Sequence, residues 1–173
     1  ARQPAALQSS DLAGLRLRNI GPATMSGRVV DMDVVESDPY TMYVASSTGG
    51  VVRTTDNGVT WTPVFEREAV HSVGDIAVFQ PEPRILWVGT GERANRQSVS
   101  WGDGVYKSID AGRTWTNVGL TTSRHIGRIQ LHPTNPDIAY VAAQGSVWGP
   151  GGDRGLYVTR DGGRTWTRTL HVD

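Results

Sequence analysis

The chain has 173 residues, with 17 basic and 17 acidic side chains, four histidines and no cysteine. That length suits one ordinary core, and zero net charge offers nothing for bulk attraction to nucleic acid or anionic lipid. The lack of cysteine excludes disulfides and thiolate zinc sites, and no apolar run approaches the ~20 residues of a membrane-spanning helix.

Residues 1–10 are small and polar. Residues 1–14 read as a tether, what remains after removal of a signal peptide, so an extracytoplasmic (periplasmic or secreted) location is expected. Residues 15–19 form a short β-like run, expected to be the outermost strand of a last blade. From there the chain breaks into short β-like runs separated by turn residues. The first unit has runs at 28–35, 41–46, 51–55 and 60–65, and the second at 75–79, 85–90, 105–109 and 114–118. The third has runs at 128–132, 138–143, 156–159 and 165–170.

Each unit contains the same phrase. It appears as Thr54-Thr55-Asp56-Asn57-Gly58-Val59-Thr60-Trp61, as Ser108-Ile109-Asp110-Ala111-Gly112-Arg113-Thr114-Trp115, and as Thr159-Arg160-Asp161-Gly162-Gly163-Arg164-Thr165-Trp166. The tryptophans are 54 and 51 residues apart. A second phrase precedes each box: Asp38-Pro39 with Tyr43-Val44-Ala45, Glu82-Pro83 with Trp87-Val88-Gly89, and Asn135-Pro136 with Tyr140-Val141-Ala142. Four antiparallel strands per repeat is the pattern of a propeller blade, in which each sheet covers the face of the next. The expected fold is therefore all-β, a β-propeller with about three four-stranded blades present, at 27–66, 74–119 and 127–170 within a domain spanning 15–173. A sandwich or barrel would explain the alternation but not the repeat.

The box has a local physical reason. Its Ser/Thr and Asp oxygens can accept backbone N–H groups within a turn, the glycine can take a positive φ, and the indole can cover the turn. Asp56, Gly58, Trp61, Asp110, Gly112, Trp115, Asp161, Gly163 and Trp166 are therefore expected to be structural, and the three aspartates neither catalytic nor metal-binding.

The S/T-x-D-x-G-x-T-W boxes resemble the Asp-box (BNR) repeats of sialidases, xyloglucanase-type glycoside hydrolases, sortilin-type receptors and photosystem assembly factors. The stretches Arg18-Asn19-Ile20-Gly21-Pro22, Val88-Gly89-Thr90-Gly91-Glu92, Gly102-Asp103-Gly104-Val105-Tyr106-Lys107-Ser108 and Arg124-His125-Ile126-Gly127-Arg128-Ile129 are most similar to exported bacterial proteins with sortilin-like BNR propellers, often labelled glycosyl hydrolase. Gln144-Gly145 and Trp148-Gly149-Pro150 fit the same pattern. The resemblance implies a ring of more than three blades, and so a fragment or subunit whose partners include the remaining blades. It implies an architecture strongly and a chemistry weakly.

Strand order places the boxes on one rim and the loops 18–28, 65–75, 91–103, 119–127 and 145–155 on the other. The offset from the second-strand aromatic to the third-strand glycine grows from 7 (Tyr43 to Gly50) to 17 (Trp87 to Gly104) and 15 (Tyr140 to Gly155). Function is expected on that lengthened rim. Its candidate binding residues are Arg28, His71, Arg93, Asn95, Arg96, Trp101, Arg124, His125, Arg128 and Trp148. Arginines beside aromatics suit carboxylates, sugars or a protein partner. The alternative is that the tryptophans pin their loops, the histidines cap turns, and the arginines are solvated or paired with Glu66, Glu68, Asp103 and Asp153. Arg28 and Arg128 are expected to open innermost strands.

The first functional expectation is a non-catalytic binding or scaffolding propeller with a protein partner. The second is glycoside hydrolysis with a carbohydrate partner, which needs carboxylates ~5–5.5 Å apart for retention or ~6.5–9.5 Å for inversion. Asp75, opening an inner strand, and Glu92 are the pair to nominate. A sialidase would also want a Phe-Arg-Ile-Pro start and a rim tyrosine, and the sequence has neither. The third is a sortilin-like peptide receptor. No cofactor is expected. The histidines are scattered without ligand spacing, so no metal is expected, and 149–152 lacks the Gly-Lys-Ser/Thr of a phosphate cradle.

Overall fold

The computed structural model describes residues 27–151 and 153–171. The tether, the run at 15–19, the Arg18–Pro22 stretch and Gly152 lie outside the described residues. The described chain is all-β: three four-stranded antiparallel sheets with no helix. Blade one runs β1 (Val29–Val34), β2 (Met42–Ser46), β3 (Gly50–Thr54) and β4 (Thr62–Pro63). Blade two runs β5 (Val73–Val78), β6 (Leu86–Thr90), β7 (Val105–Ser108) and β8 (Thr116–Asn117). Blade three runs β9 (Ile126–Leu131), β10 (Ala139–Ala143), β11 (Gly155–Thr159) and β12 (Thr167–His171). Each sheet is a simple meander in sequence order.

The inner strands β1, β5 and β9 pack on one another in turn. Alternation divides each blade into two faces. Leu86 and Val88 of β6 pack toward blade one with Tyr43, Val51 and Phe65, whereas Trp87 packs toward blade three with Ile126, Ile129 and Val141. Blade two is thus covered on both sides, and every residue of β5 and β6 is buried. A sheet with two covered faces reads as a continuous apolar run, as Ile76–Phe79 and Ile85–Val88 do.

Two inner strands start earlier than their sequence suggests. Asp75 is the third residue of β5 and Arg128 the third of β9, so neither opens its strand. A one-residue bulge precedes each of them, and another precedes Asp31 in β1, so Asp31, Asp75 and Arg128 share one register position opposite Ala45, Gly89 and Ala142. A bulge locally bends and twists its strand, which re-aims the side chain beside it.

Candidate functional site: an interblade charge cluster beneath a lengthened loop rim

The three boxes repeat one hydrogen-bond pattern. The amides of Gly58, Gly112 and Gly163 each donate to the hydroxyl of Thr54, Ser108 or Thr159 at 2.9 Å. The aspartate takes the amide and hydroxyl of the threonine four residues on: Thr60 to Asp56 (2.8 and 2.6 Å), Thr114 to Asp110 (2.9 and 2.7 Å), and Thr165 to Asp161 (2.9 and 2.6 Å). Those donors hold Asp56 and Asp161 down to about 2. For Asp110 burial pulls the other way, and the Thr114 donors still bring it to about 2. The turn uses two successive positive φ angles. Besides the glycine, Asn57 (58°), Ala111 (62°) and Gly162 (74°) are left-handed. Ala111 has no special tolerance for that conformation, which costs roughly 1–2 kcal/mol.

The box indole covers its turn and also reaches the preceding blade. Trp115 Nε1 donates to the Val64 carbonyl at 2.6 Å and Trp166 Nε1 to the Val118 carbonyl at 2.7 Å. All three boxes lie beside the first turn of their own blade, through Asn57 to Tyr40, Ala111 to Arg84 and Gly162 to Asp137. The opposite rim is joined separately, through Gly91 to Ser72, Gly102 to Arg124, and Gln144 to His125.

The nominated carboxylates both sit in the cluster between blades. Asp75 is fully buried; it accepts the Ile129 amide at 2.7 Å, Arg93 Nη1 at 2.8 Å and Arg128 Nη1 at 3.5 Å. Burial, with the neighbouring Asp31 carboxyl adding to it, pushes Asp75 up to about 7 against the pull of the Ile129 amide and Arg128. Glu92 is buried and ion-paired with Arg28. Sequence reasoning missed Asp31 and Asp33. Asp31 accepts the Ile76 amide (3.3 Å) and Asp33 the Val78 amide (2.7 Å), so carboxylates of one inner strand satisfy the edge amides of the next. The available signal was two acids alternating within the apolar run Val29–Val34.

Arg93 joins all three blades. Besides Asp75 of blade two, it donates to the Val30 carbonyl of blade one and the Gly127 carbonyl of blade three (3.3 Å). Its own carbonyl receives Gln144 Nε2 at 3.2 Å. The expected pairing of the arginines with Glu66, Glu68, Asp103 and Asp153 does not describe Arg28, Arg93 or Arg128, which pair with Glu92, Asp75 and Asp31. Arg93 and Arg128 reach inner-strand acids, and Arg28 reaches the buried loop acid Glu92.

His125 is fully buried, and neither ring nitrogen has a partner among the described residues. Burial, with Arg124 nearby, lowers its pKa and favours the neutral ring. Its side chain is therefore not on the rim surface. His71, Asn95 and Arg96 are exposed. Trp101 is 58% and Trp148 61% exposed, so neither indole pins its loop by burial. The Arg124 guanidinium lies 4.3 Å from the Trp101 ring centre, and both border a cavity of about 320 Å³ with Thr122 and Asp153. Among the described residues no three His, Asp or Glu side chains are grouped to hold a metal.

Sheets of this topology joined by these turns define Asp-box β-propeller blades. A family model for the BNR/Asp-box repeat matches residues 157–168, which take in the third box. No curated protein matches the chain by sequence. Among solved structures it is similar to an ancestral GH74 enzyme, with 22% identity and a TM-score of 0.66 over 88% of this chain and 19% of that one. It is similar to YCF48 bound to D1 peptide, with 14% identity and a TM-score of 0.58 over 85% of this chain and 41% of that one. The GH74 xyloglucanase of Xanthomonas campestris gives 18% identity and a TM-score of 0.55 over 81% and 23%. The chain spans about a fifth of the length of the GH74 enzymes and two fifths of YCF48. At these identities the likeness shows the fold.

Proposed function

We propose that these blades are a non-catalytic binding surface that holds a protein partner through the lengthened rim, within an extracytoplasmic assembly. One observation carries the reading. Asp75 and Glu92 are buried and bound to arginines and an amide, while Trp101, Arg124 and Trp148 present aromatic and cationic surface. Exposed tryptophan beside arginine is the composition of interface hot spots. YCF48, of the same fold, is bound to a peptide in its structure, which supports a peptide-like partner by analogy alone. Affinity capture from native extract tests the proposal. The parent chain should retain a partner that the folded Trp101→Ala/Arg124→Ala variant loses; identical capture by both would refute it.

Glycoside hydrolysis is the second reading, favoured by the Asp31–Asp75 juxtaposition with Asp75 raised to about 7, where a general acid works. Hydrolysis of xyloglucan or aryl glycosides, lost in Asp75→Asn, would establish it and displace the first.

A further inference from the structure

Four arginines of the loop rim and inner strands bond to protein oxygens. Arg28 meets Glu92, Arg93 and Arg128 meet Asp75, and Arg154 donates to the carbonyls of Gln144 (2.7 Å) and Ser146 (2.6 Å). Arg124 is half-buried, yet its guanidinium bonds to no oxygen among the described residues and lies against the Trp101 ring instead. A carboxylate is near. Asp153 borders the same cavity of about 320 Å³, but it takes the Thr122 hydroxyl and forms no ion pair with Arg124.

The backbone holds both charges in place. Arg124 is left-handed, with φ 61°, and its carbonyl receives the Gly102 amide at 2.7 Å. That carbonyl also packs so closely on Gly91 that no Cβ would fit there. Asp153 has φ 48°, and its carbonyl receives the Tyr157 hydroxyl at 2.7 Å. Outside the boxes, the only non-glycine residues with positive φ among the described residues are Leu120, Arg124 and Asp153. Arg124 and Asp153 line the cavity, and Leu120 directly precedes its lining residues Thr121 and Thr122. Strained backbone persists where its surroundings enforce it, and it gathers at ligand sites.

We infer that this cavity takes an acidic side chain from an extended stretch of the partner. Its carboxylate meets the Arg124 fork and the Thr121 hydroxyl, and a neighbouring backbone N–H of the partner meets Asp153. The inference rests on the reading of this rim as the partner-binding surface and gives that surface its selectivity. A planar guanidinium matches a carboxylate bidentately, and half-burial strengthens the pairing relative to open water. Thr122 engages Oδ2 of Asp153, so Oδ1 remains as an acceptor. Phosphate fits less well, because its second charge meets Asp153. The cavity is at the small end of ligand pockets, with room for one side chain. Trp101 and Asp153 are both exposed, so it lies open at the surface, where a continuing chain can pass over it.

Blocked peptides test this without the partner. Acetyl-Gly-Gly-Glu-Gly-Gly-amide and its Gln analogue are titrated at low salt into the isotope-labelled chain and followed by NMR. The Glu peptide should shift the Trp101 indole N–H and the Arg124 Nε–H. The Gln analogue should bind about tenfold more weakly, the low end for a charge-assisted hydrogen bond. The Glu peptide should weaken by a similar factor on Arg124→Gln, with Arg124→Lys, which keeps the charge without the fork, in between. Equal binding of the two peptides to the parent chain overturns the inference and needs no variant. Asp153→Ala should weaken the Glu peptide as well; tighter binding would mean that Asp153 only repels it, and would overturn the two-point recognition. Tighter binding of unamidated acetyl-pentaglycine, or of inorganic phosphate, would overturn the assignment to an acidic side chain. A rim that captures its partner but ignores the Glu peptide sinks this inference alone, whereas capture unaffected by Trp101→Ala/Arg124→Ala sinks the reading beneath it.

Discussion

The two rims of the blades use similar residues to opposite ends. On the box rim, aspartates make the same bonds three times at nearly the same distances, and each bond is closed within a few residues of chain. On the loop rim and the inner strands below it, equivalent positions diverge. Arg28, Ser72 and His125 occupy one place in successive blades, and Asp31, Asp75 and Arg128 another. A turn that satisfies itself can be copied unchanged, because it makes few demands on what lies opposite. Where contacts reach from blade to blade, each residue answers to its neighbour. The lesson is that repetition marks the bonds a turn closes within its own blade, and divergence marks the charged contacts that the loop rim and inner strands make with their neighbours.

The comparison can be broken most forcefully at Arg93. It is a loop-rim residue, yet its loss leaves the buried Asp75 without its closest counter-charge and removes bonds to two other blades. Arg93→Ala should lower unfolding stability by about 3 kcal/mol in urea titration above pH 7, where Asp75 is ionised, the low end for breaking a buried ion pair. A change within about 0.5 kcal/mol, the range for an ordinary surface residue, would remove it from the framework.

The next effect sharpens the contrast among boxes. Trp115→Ala strips an interblade hydrogen bond and a half-buried ring that packs edge-on against Phe65 at 5.2 Å. It should cost about 2 kcal/mol, below the full-burial figure. In the same chain Trp61→Ala should stay within about 0.5 kcal/mol, since its indole bonds to nothing described. Equal losses would mean that the boxes act within their own blades alone.

A third effect is in pH dependence. The box aspartates are lowered to about 2, so their contribution is complete above the ordinary carboxylate value near 4 and is lost as pH falls toward 2. Asp75 runs the other way. Between its ordinary value and about 7 the folded chain holds a proton that the unfolded chain has released, so this group makes stability fall as pH rises through that window. Asp75→Asn should flatten that part of a stability–pH curve while leaving the acid limb intact. An unchanged slope would show that Asp75 ionises normally.

Much of this was legible before any coordinates. The boxes, their spacing, the four-strand grammar and the separation of the rims follow from contacts that close within one blade, and such contacts leave a pattern in sequence. The cluster around Asp75 was legible only in part. Asp75 and Glu92 could be picked out as acids near the axis, but their partners Arg93, Arg128, Ile129 and Arg28 come from other blades or loops. Distances of that kind depend on how one sheet sits on the next. The bulges ahead of Asp75 and Arg128 were marked by Gly74 and Gly127, which coincide with the register shifts that moved both residues inward from the strand ends. Ala111 concealed the second left-handed position of its box, which Asn57 and Gly162 advertise in the other two.

The most direct measurement pairs thermal unfolding with partner capture for two variants, Asp110→Ala on the box rim and Trp101→Ala/Arg124→Ala on the loop rim. The account predicts that the first lowers the unfolding midpoint while capture per folded molecule is unchanged, and that the second does the reverse. A box variant that unfolds like the parent but releases the partner, beside a loop variant that binds normally, would contradict it.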